Sequence, residues 1–148
     1  MEINGIAHIF ITAHDFERSR EFYSRLLPFL GLTCVADVSG STYYCVGGRT
    51  GFGVQAPLAD THPRFEQGTP GLHHVCFRAR ERSDIDIAYE FLTKIGAVIV
   101  HAPQEDQFAP GYYSVLFEGP DGIRLEINHV PGSGLFEPGA RIGKPYSG

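Results

Sequence analysis

The sequence predicts an α+β fold in which one unit, a strand followed by a helix and then further strands, occurs twice. Two segments have the three- and four-residue spacing of apolar side chains that is typical of amphipathic helices. Most of the other chain segments are short runs rich in β-branched and aromatic residues, bounded by Gly, Pro or Asp. A shift of 66 residues, from Ile6 to Leu72, aligns the first strand of one half with that of the other.

The first predicted helix begins after Asp15, a residue type that caps helix N-termini, and stops at Gly31. Pro28 is expected to end its regular turns early. The second begins near Ser83, which has capping-box spacing with Asp86, and stops at Gly96. The apolar stripes of the two helices consist of Phe22, Tyr23, Leu26, Leu27 and Leu30 in the first, and Ala88, Phe91, Leu92 and Ile95 in the second.

Seven strands are predicted from the remaining patterns. They cover residues 6–11, 41–46, 51–56, 72–77, 97–100, 112–117 and 123–128. The turns Gly47-Gly48 and Pro120-Asp121-Gly122 can adopt the positive φ angles that tight connections need, so we expect hairpins there.

The repeat also predicts the domain organisation. We expect a single domain over residues 1–131, with module one at about 4–57 and module two at about 71–130, joined by a Pro-containing linker. Residues 132–148 form a Gly/Pro-rich tail, either disordered or lying across a partner subunit. His8 aligns with His74, and Gln55 aligns with Glu126 when Gly51 is placed on Gly122.

Composition and charge exclude several classes of function. The 148 residues, 43% of them hydrophobic, suit one globular domain. A net charge of −5 is the wrong sign for nucleic acid or an anionic membrane surface. Neither a signal peptide nor an apolar run of about 20 residues is present, so we expect a cytoplasmic protein. Three isolated cysteines indicate reduced core residues rather than disulfides or a thiolate metal site.

Strand alternation places four polar side chains on one sheet face, opposite the helices. In the last strand Ile123, Leu125 and Ile127 alternate with polar residues, which turns Glu126 away from the helix side. The same reasoning applies to His8, Gln55 and His74. Polar residues at alternate positions are common on the solvent-exposed face of an antiparallel sheet. One strand alone would favour such an exposed face over a functional site. Because four strands place them at matching points of two copies, we predict a metal site with His8, His74, Glu126 and, as a weaker ligand, Gln55.

These residues resemble the vicinal oxygen chelate superfamily, which includes glyoxalases, bleomycin resistance proteins and extradiol dioxygenases. The resemblance covers about residues 4 to 130 and depends on four segments: Ile6-Ala7-His8-Ile9, the helix from Phe22-Tyr23 through Leu26 to Gly31, Gly71-Leu72-His73-His74-Val75, and the stretch from Gly119 to Glu126. It implies two βαβββ modules whose curved mixed sheets form a half-open barrel. It also implies that His8, Gln55, His74 and Glu126 hold one divalent ion, which could be Zn, Fe, Mn, Ni or Co.

The implied chemistry is proton transfer through an enolate-type intermediate on a small substrate with neighbouring oxygens. Glu126 is expected to act first as a ligand and second as a base. Arg124 and Asn128 lie on its face and are expected to orient the substrate, with Tyr113 and Phe108 as pocket walls. A glyoxalase-like lyase or isomerase is the leading hypothesis, and we expect it to work as a homodimer.

Two alternative functions are also compatible with the sequence. A metal-dependent dioxygenase is disfavoured because Leu116 stands where ring-cleaving members carry a Tyr. A metal-free protein that binds an antibiotic is disfavoured because members of that kind generally lack the ligands that this sequence keeps. No phosphate-binding loop and no Gly-x-Ser-x-Gly elbow occurs, so the sequence gives no support to phosphoryl transfer or serine hydrolysis.

Overall fold

A computed structural model describes residues 1–59 and 63–143 of the chain. Positions 60–62 of the predicted linker and 144–148 of the predicted tail lie outside the described residues. The chain divides into two compact units. The first comprises Met1–Glu66 with Pro120–Gly122, and the second comprises Gln67–Gly119 with Ile123–Gly148.

The first unit contains one helix and a four-stranded mixed sheet. Its elements are β1 (His8–Thr12), α1 (Phe16–Phe29), β2 (Thr33–Val38), β3 (Thr42–Gly47) and β4 (Thr50–Gln55). The strand order is β1-β4-β3-β2, in which β1 and β4 are parallel and the other neighbours are antiparallel.

The second unit repeats this arrangement. Its elements are β5 (Val75–Arg78), α2 (Ser83–Lys94), β6 (Val98–Glu105), β7 (Tyr113–Glu118) and β8 (Arg124–His129), followed by a 3₁₀ turn at Gly134–Phe136. The order β5-β8-β7-β6 again pairs the first and last strands in parallel. The predicted α+β fold of two βαβββ units is therefore confirmed, and neither sheet closes into a barrel.

One strand, β2, was missing from the set predicted by local pattern. It is an edge strand, and all its residues except Ala36 are exposed. A strand that buries neither face has no alternation of apolar and polar residues, so the period-two signal is absent. The strand predicted at 97–100 is part of the longer β6, which continues through Pro103. Proline is tolerated there because β6 is also an edge strand.

The two helices differ in how well their ends follow the sequence signals. The Asp15 side chain accepts a hydrogen bond from the Arg18 N–H, as the predicted cap requires. Pro28 lies inside α1, one residue before its end, so it does not shorten the helix. The predicted capping box of α2 is wrong, because no side chain caps that end and Asp86 instead accepts a bond from the Tyr113 hydroxyl.

Each helix packs its apolar stripe on the sheet of its own unit. In the first unit the rings of Tyr23 and Phe52 lie 5.4 Å apart, and Leu26 is fully buried. In the second unit Ile85 and Leu92 are fully buried. Burial of such a side chain contributes about 1.5–3 kcal/mol. This packing leaves the opposite face of each sheet uncovered by the helices.

Two further sequence expectations have mixed outcomes. Cys45 is buried, but Cys34 and Cys76 are exposed, so the expectation of three core cysteines is wrong for two of them. All three are free thiols. Neither α-helix in the described ranges is long and apolar enough to cross a membrane.

Candidate metal centre

The second unit brings together two of the predicted ligands, His74 and Glu126. His74 lies just before β5, and Glu126 pairs with Cys76, two residues further along that strand. Positions two apart share a sheet face, so both side chains lie on the face opposite α2. His74 Nε2 stands 3.2 Å from Glu126 Oε2, with the imidazole about a third exposed at 34%.

Glu126 is a buried carboxylate, 7% exposed, whose two oxygens have different partners. The Tyr112 hydroxyl donates to Oε1 at 2.5 Å, and Oε2 faces His74. Burial alone would raise the pKa of Glu126, but the hydrogen bonds from His74, Tyr112 and Ser114 outweigh burial and lower its pKa. The carboxylate is therefore ionised at neutral pH.

The second nitrogen of His74 also has a partner. His74 Nδ1 lies 2.7 Å from His73 Nδ1, and this contact requires one ring to donate and the other to accept. His73, which sequence pattern puts on the helix side, is thus a direct neighbour of the candidate ligand.

In the first unit His8 occupies the position that corresponds to His74. It is exposed at the start of β1 and stands edge-on to the rings of Phe10 and Tyr44, with centroids 5.6 and 6.4 Å away. Phe10 and Tyr44 are stacked on each other at 5.1 Å. His8 therefore lies at the edge of an aromatic cluster.

Gln55 does not occupy the position that corresponds to Glu126. In the first unit His8 pairs with Gly51, and Gln55 pairs with Thr12 at the far end of β1. That is four residues further along the strand, or roughly 13 Å at the usual rise. The Gln55 Oε1 atom accepts a hydrogen bond from the Thr42 hydroxyl at 3.1 Å. The alignment of Gln55 with Glu126 is therefore not supported by the strand pairing.

The true counterpart of Glu126 is Gly53. It pairs with Phe10, two residues after His8, just as Glu126 pairs with Cys76, two residues after His74. A Cβ atom at Gly53 would collide with the Phe10 ring. Of the two ligands predicted in the first unit, only His8 lies at the position that the strand pairing equates with a second-unit ligand, and Gly53 leaves the position that corresponds to Glu126 without a side chain.

The predicted substrate-binding residues fall in three different places. Arg124 and Asn128 share the face of Glu126, but Arg124 Nε is already 3.5 Å from Glu118 Oε1. Phe108 packs edge-on against Tyr112, with centroids 5.2 Å apart. Tyr113 is on the helix side, where its hydroxyl donates to Asp86 and Arg82 lies over its ring. Its predicted role as a pocket wall is therefore not supported.

Tyr112, whose hydroxyl donates to Glu126, is not among the residues predicted for the site. It immediately precedes β7, on the same side as Ser114 and Leu116, so alternation counted back from those residues would have found it. The adjacent Tyr113, which was the predicted wall residue, points to the opposite face of the strand and contacts Asp86.

Within residues 1–59 and 63–143, no three His, Cys, Asp or Glu side chains form a ready-made metal site. The second unit does supply an imidazole nitrogen and an ionised carboxylate oxygen 3.2 Å apart. Nitrogen and oxygen donors of these types suit a divalent transition metal ion. The pair therefore fits the ion that the resemblance implies, as part of a ligand set.

Comparison with protein families gives a match over most of the chain. The model of the Glyoxalase/Bleomycin resistance protein/Dioxygenase superfamily matches residues 5–127. A search of curated proteins gives no significant match.

Several solved structures are similar in fold. A candidate glyoxalase from Bacillus halodurans has 27% identity and a TM-score of 0.73, over 86% of this chain and 96% of that one. A lactoylglutathione lyase from Agrobacterium tumefaciens has 23% identity and a TM-score of 0.66, over 86% and 95%. A glyoxylase/bleomycin resistance protein/dioxygenase domain from Frankia sp. EAN1pec has 23% identity and a TM-score of 0.70, over 86% and 98%. At these identities the last two comparisons support the fold alone.

Proposed function

Because the chain belongs to the glyoxalase/bleomycin resistance protein/dioxygenase superfamily, we propose that it is a metal-dependent lyase or isomerase of the glyoxalase type. The proposed substrate is a small molecule with neighbouring oxygen atoms, converted through an enolate-type intermediate. We propose His74 and Glu126 as metal ligands and His8 as the third. The contact between His74 Nε2 and Glu126 Oε2 in the second unit is the observation that carries this proposal.

The chemistry that a divalent ion supplies is stabilisation of negative charge on a substrate oxygen while a proton leaves the adjacent carbon. Glu126 suits the role of ligand better than that of base, because a carboxylate with a lowered pKa accepts a proton weakly. Arg124 and Asn128 are proposed to contact an anionic part of the substrate. Glu118 beside Arg124 offsets part of its charge, so a single negative group suits this position.

A second candidate function, a metal-dependent dioxygenase, is favoured by Gly53. Gly53 has no side chain at the position that corresponds to Glu126. The proposed ligands are therefore two imidazoles and one carboxylate, the set used by non-haem iron oxygenases. Leu116, in place of the Tyr of ring-cleaving members, counts against it.

Metal analysis of protein prepared without chelator tests the proposed centre. We expect about one ion per chain in the wild type and a loss of most of it in His74→Ala and Glu126→Ala. Gln55→Ala is the matched control and should keep its ion, because Gln55 is bonded to Thr42 at the far end of the strand pair. Full metal content in both His74→Ala and Glu126→Ala would contradict the proposal.

Two assays on the metal-loaded protein distinguish the reactions. A lyase or isomerase should exchange the carbon-bound proton of α-hydroxyketones with deuterated water. A dioxygenase should consume oxygen with catechols when loaded with iron(II). Oxygen uptake without proton exchange would replace the leading proposal with the second candidate.

We also propose a homodimer that works in the cytoplasm. Members of the superfamily typically form dimers and bind small molecules. Exposed apolar side chains on the edge strands β2 (Val35 and Val38) and β6 (Val98 and Val100) are consistent with surfaces covered in an assembly. The three free thiols suit a reducing compartment. Light scattering of the purified protein tests the assembly.

A further inference from the structure

We propose that Tyr112 is a positioning residue that fixes how Glu126 binds metal. Because Tyr112 donates a hydrogen bond to Oε1, the carboxylate would contact the metal through Oε2, the oxygen beside His74. This inference rests on the proposed metal centre and adds a residue that neither the fold nor the ligand set specifies.

The hydrogen bond is short and sheltered from water. Its length of 2.5 Å lies in the range of O–H···O⁻ bonds to an ionised carboxylate. Tyr112 is 9% exposed and Glu126 is 7% exposed, so water competes little for either group. A bond of this kind is stronger than one between neutral groups, and it holds the carboxylate group in one orientation.

Tyr112 is itself held in place by its neighbours. Its ring packs with Ala109, Val130 and, edge-on, Phe108. Its backbone N–H donates to the Ala109 carbonyl, and its own carbonyl accepts from the Asp106 N–H, at 3.1 and 3.0 Å. The hydroxyl is therefore presented to Glu126 by a fixed ring.

The consequence concerns the number of metal positions that the protein occupies. A carboxylate with two free oxygens can bind a cation through both, whereas a hydrogen bond from a fixed hydroxyl to one oxygen favours contact through the other oxygen alone. Binding through one oxygen leaves an additional position open. A substrate with two neighbouring oxygens needs two such positions.

The alternative role for Tyr112 is packing of its ring alone. Removal of the hydroxyl distinguishes this packing role from the proposed positioning role. Tyr112→Phe keeps the ring and its contacts with Phe108, Ala109 and Val130. Tyr113→Phe is the matched control, since it removes the hydroxyl of the next residue, which bonds Asp86 on the helix side. A packing role predicts equal behaviour of the two variants toward metal.

The experiment uses Co²⁺ as the probe, with dissociation constants measured by titration and visible absorption recorded at saturating cobalt. We expect Tyr112→Phe to bind Co²⁺ about tenfold or more weakly, the usual effect of losing a bond to a metal ligand. We also expect weaker absorption per bound ion, because Co²⁺ absorbs less as its coordination number rises. Tyr113→Phe should match the wild type in both measurements.

The outcomes separate this inference from the proposed function. If the wild type binds Co²⁺ and His74→Ala does not, while Tyr112→Phe keeps both the wild-type affinity and spectrum, this inference alone is overturned. If wild type and His74→Ala bind Co²⁺ equally poorly, the proposed metal centre fails and this inference fails with it. Because the spectrum is recorded per bound ion at saturation, a change in it reports ligand geometry rather than the folded fraction.

Discussion

The His74 imidazole contacts a different partner through each of its nitrogens, Glu126 through Nε2 and His73 through Nδ1. If Nε2 binds metal, the proton of His74 is on Nδ1 and is donated to His73. Such a bond from the second nitrogen fixes the tautomer and the ring orientation of a metal-binding histidine. In the proposed centre, the two adjacent histidines would therefore differ in role, with His74 as the ligand and His73 as the acceptor.

We predict that His73→Ala weakens Co²⁺ binding roughly tenfold, because His74 loses the acceptor that orients it. Titration with Co²⁺ measures the effect. His14→Ala is the control, since His14 makes its bond to Asp121 through the backbone N–H and should keep normal affinity. Unchanged affinity in His73→Ala would show that the His73 contact does not orient His74.

Strand β4 carries aromatic rings on one face. Gly51 and Gly53 alternate with buried Phe52 and Val54, so one face packs under α1 and the other has no side chain at two successive positions. The Tyr44 and Phe10 rings lie over these glycines, and a Cβ atom at either glycine would collide with a ring. The glycines are thus required by close approach rather than by a turn.

We predict that Gly53→Ala lowers the free energy of unfolding by about 1 kcal/mol, the value of the stacking that Phe10 must give up. The ring can swing outward, since Phe10 is 45% exposed, so a larger loss is not expected. Urea denaturation measures the change.

A double-mutant cycle tests the cause of that loss. In a Phe10→Ala background the Gly53→Ala substitution should cost little, because the colliding ring is gone. Equal costs in both backgrounds would mean that the strand itself, rather than the ring, opposes the added methyl group.

The turn between β7 and β8 belongs to the first unit, although its neighbours in sequence belong to the second. Asp121 in this turn is 4% exposed. Its Oδ1 accepts from the N–H groups of His14 and Asp15 at 2.7 and 3.2 Å, and its Oδ2 accepts from the Ser19 hydroxyl. Asp121 therefore binds the start of α1 across more than a hundred residues of sequence.

We predict that Asp121→Ala destabilises the protein by about 3 kcal/mol, because buried donors lose a charged acceptor. Chemical denaturation measures it. Asp84→Ala is the control, since Asp84 accepts one exposed N–H, from Glu81, and should cost at most about 1 kcal/mol. Similar losses in both variants would contradict a special role for the turn.

Local patterns in the sequence were enough to predict the α+β class, the repeat, both helices and most strands, because helical and strand periodicities are local. They also assigned the sheet face of His8, His74 and Glu126, since alternate side chains point to opposite faces. They did not find β2, whose two exposed faces carry no periodic signal.

Which residues become neighbours on a sheet face depends on long-range strand pairing, which local patterns do not reveal. Gln55 and Gly53 differ by two positions, so alternation places both on the same face. It does not tell which of them lies opposite a given residue of the neighbouring strand. The register is set by the pairing of β4 with β1, which comes from a distant part of the chain. This register puts Gly53 rather than Gln55 opposite Phe10. Tyr112 on Glu126 and Asp121 on α1 are likewise long-range contacts, which no local pattern of side chains encodes.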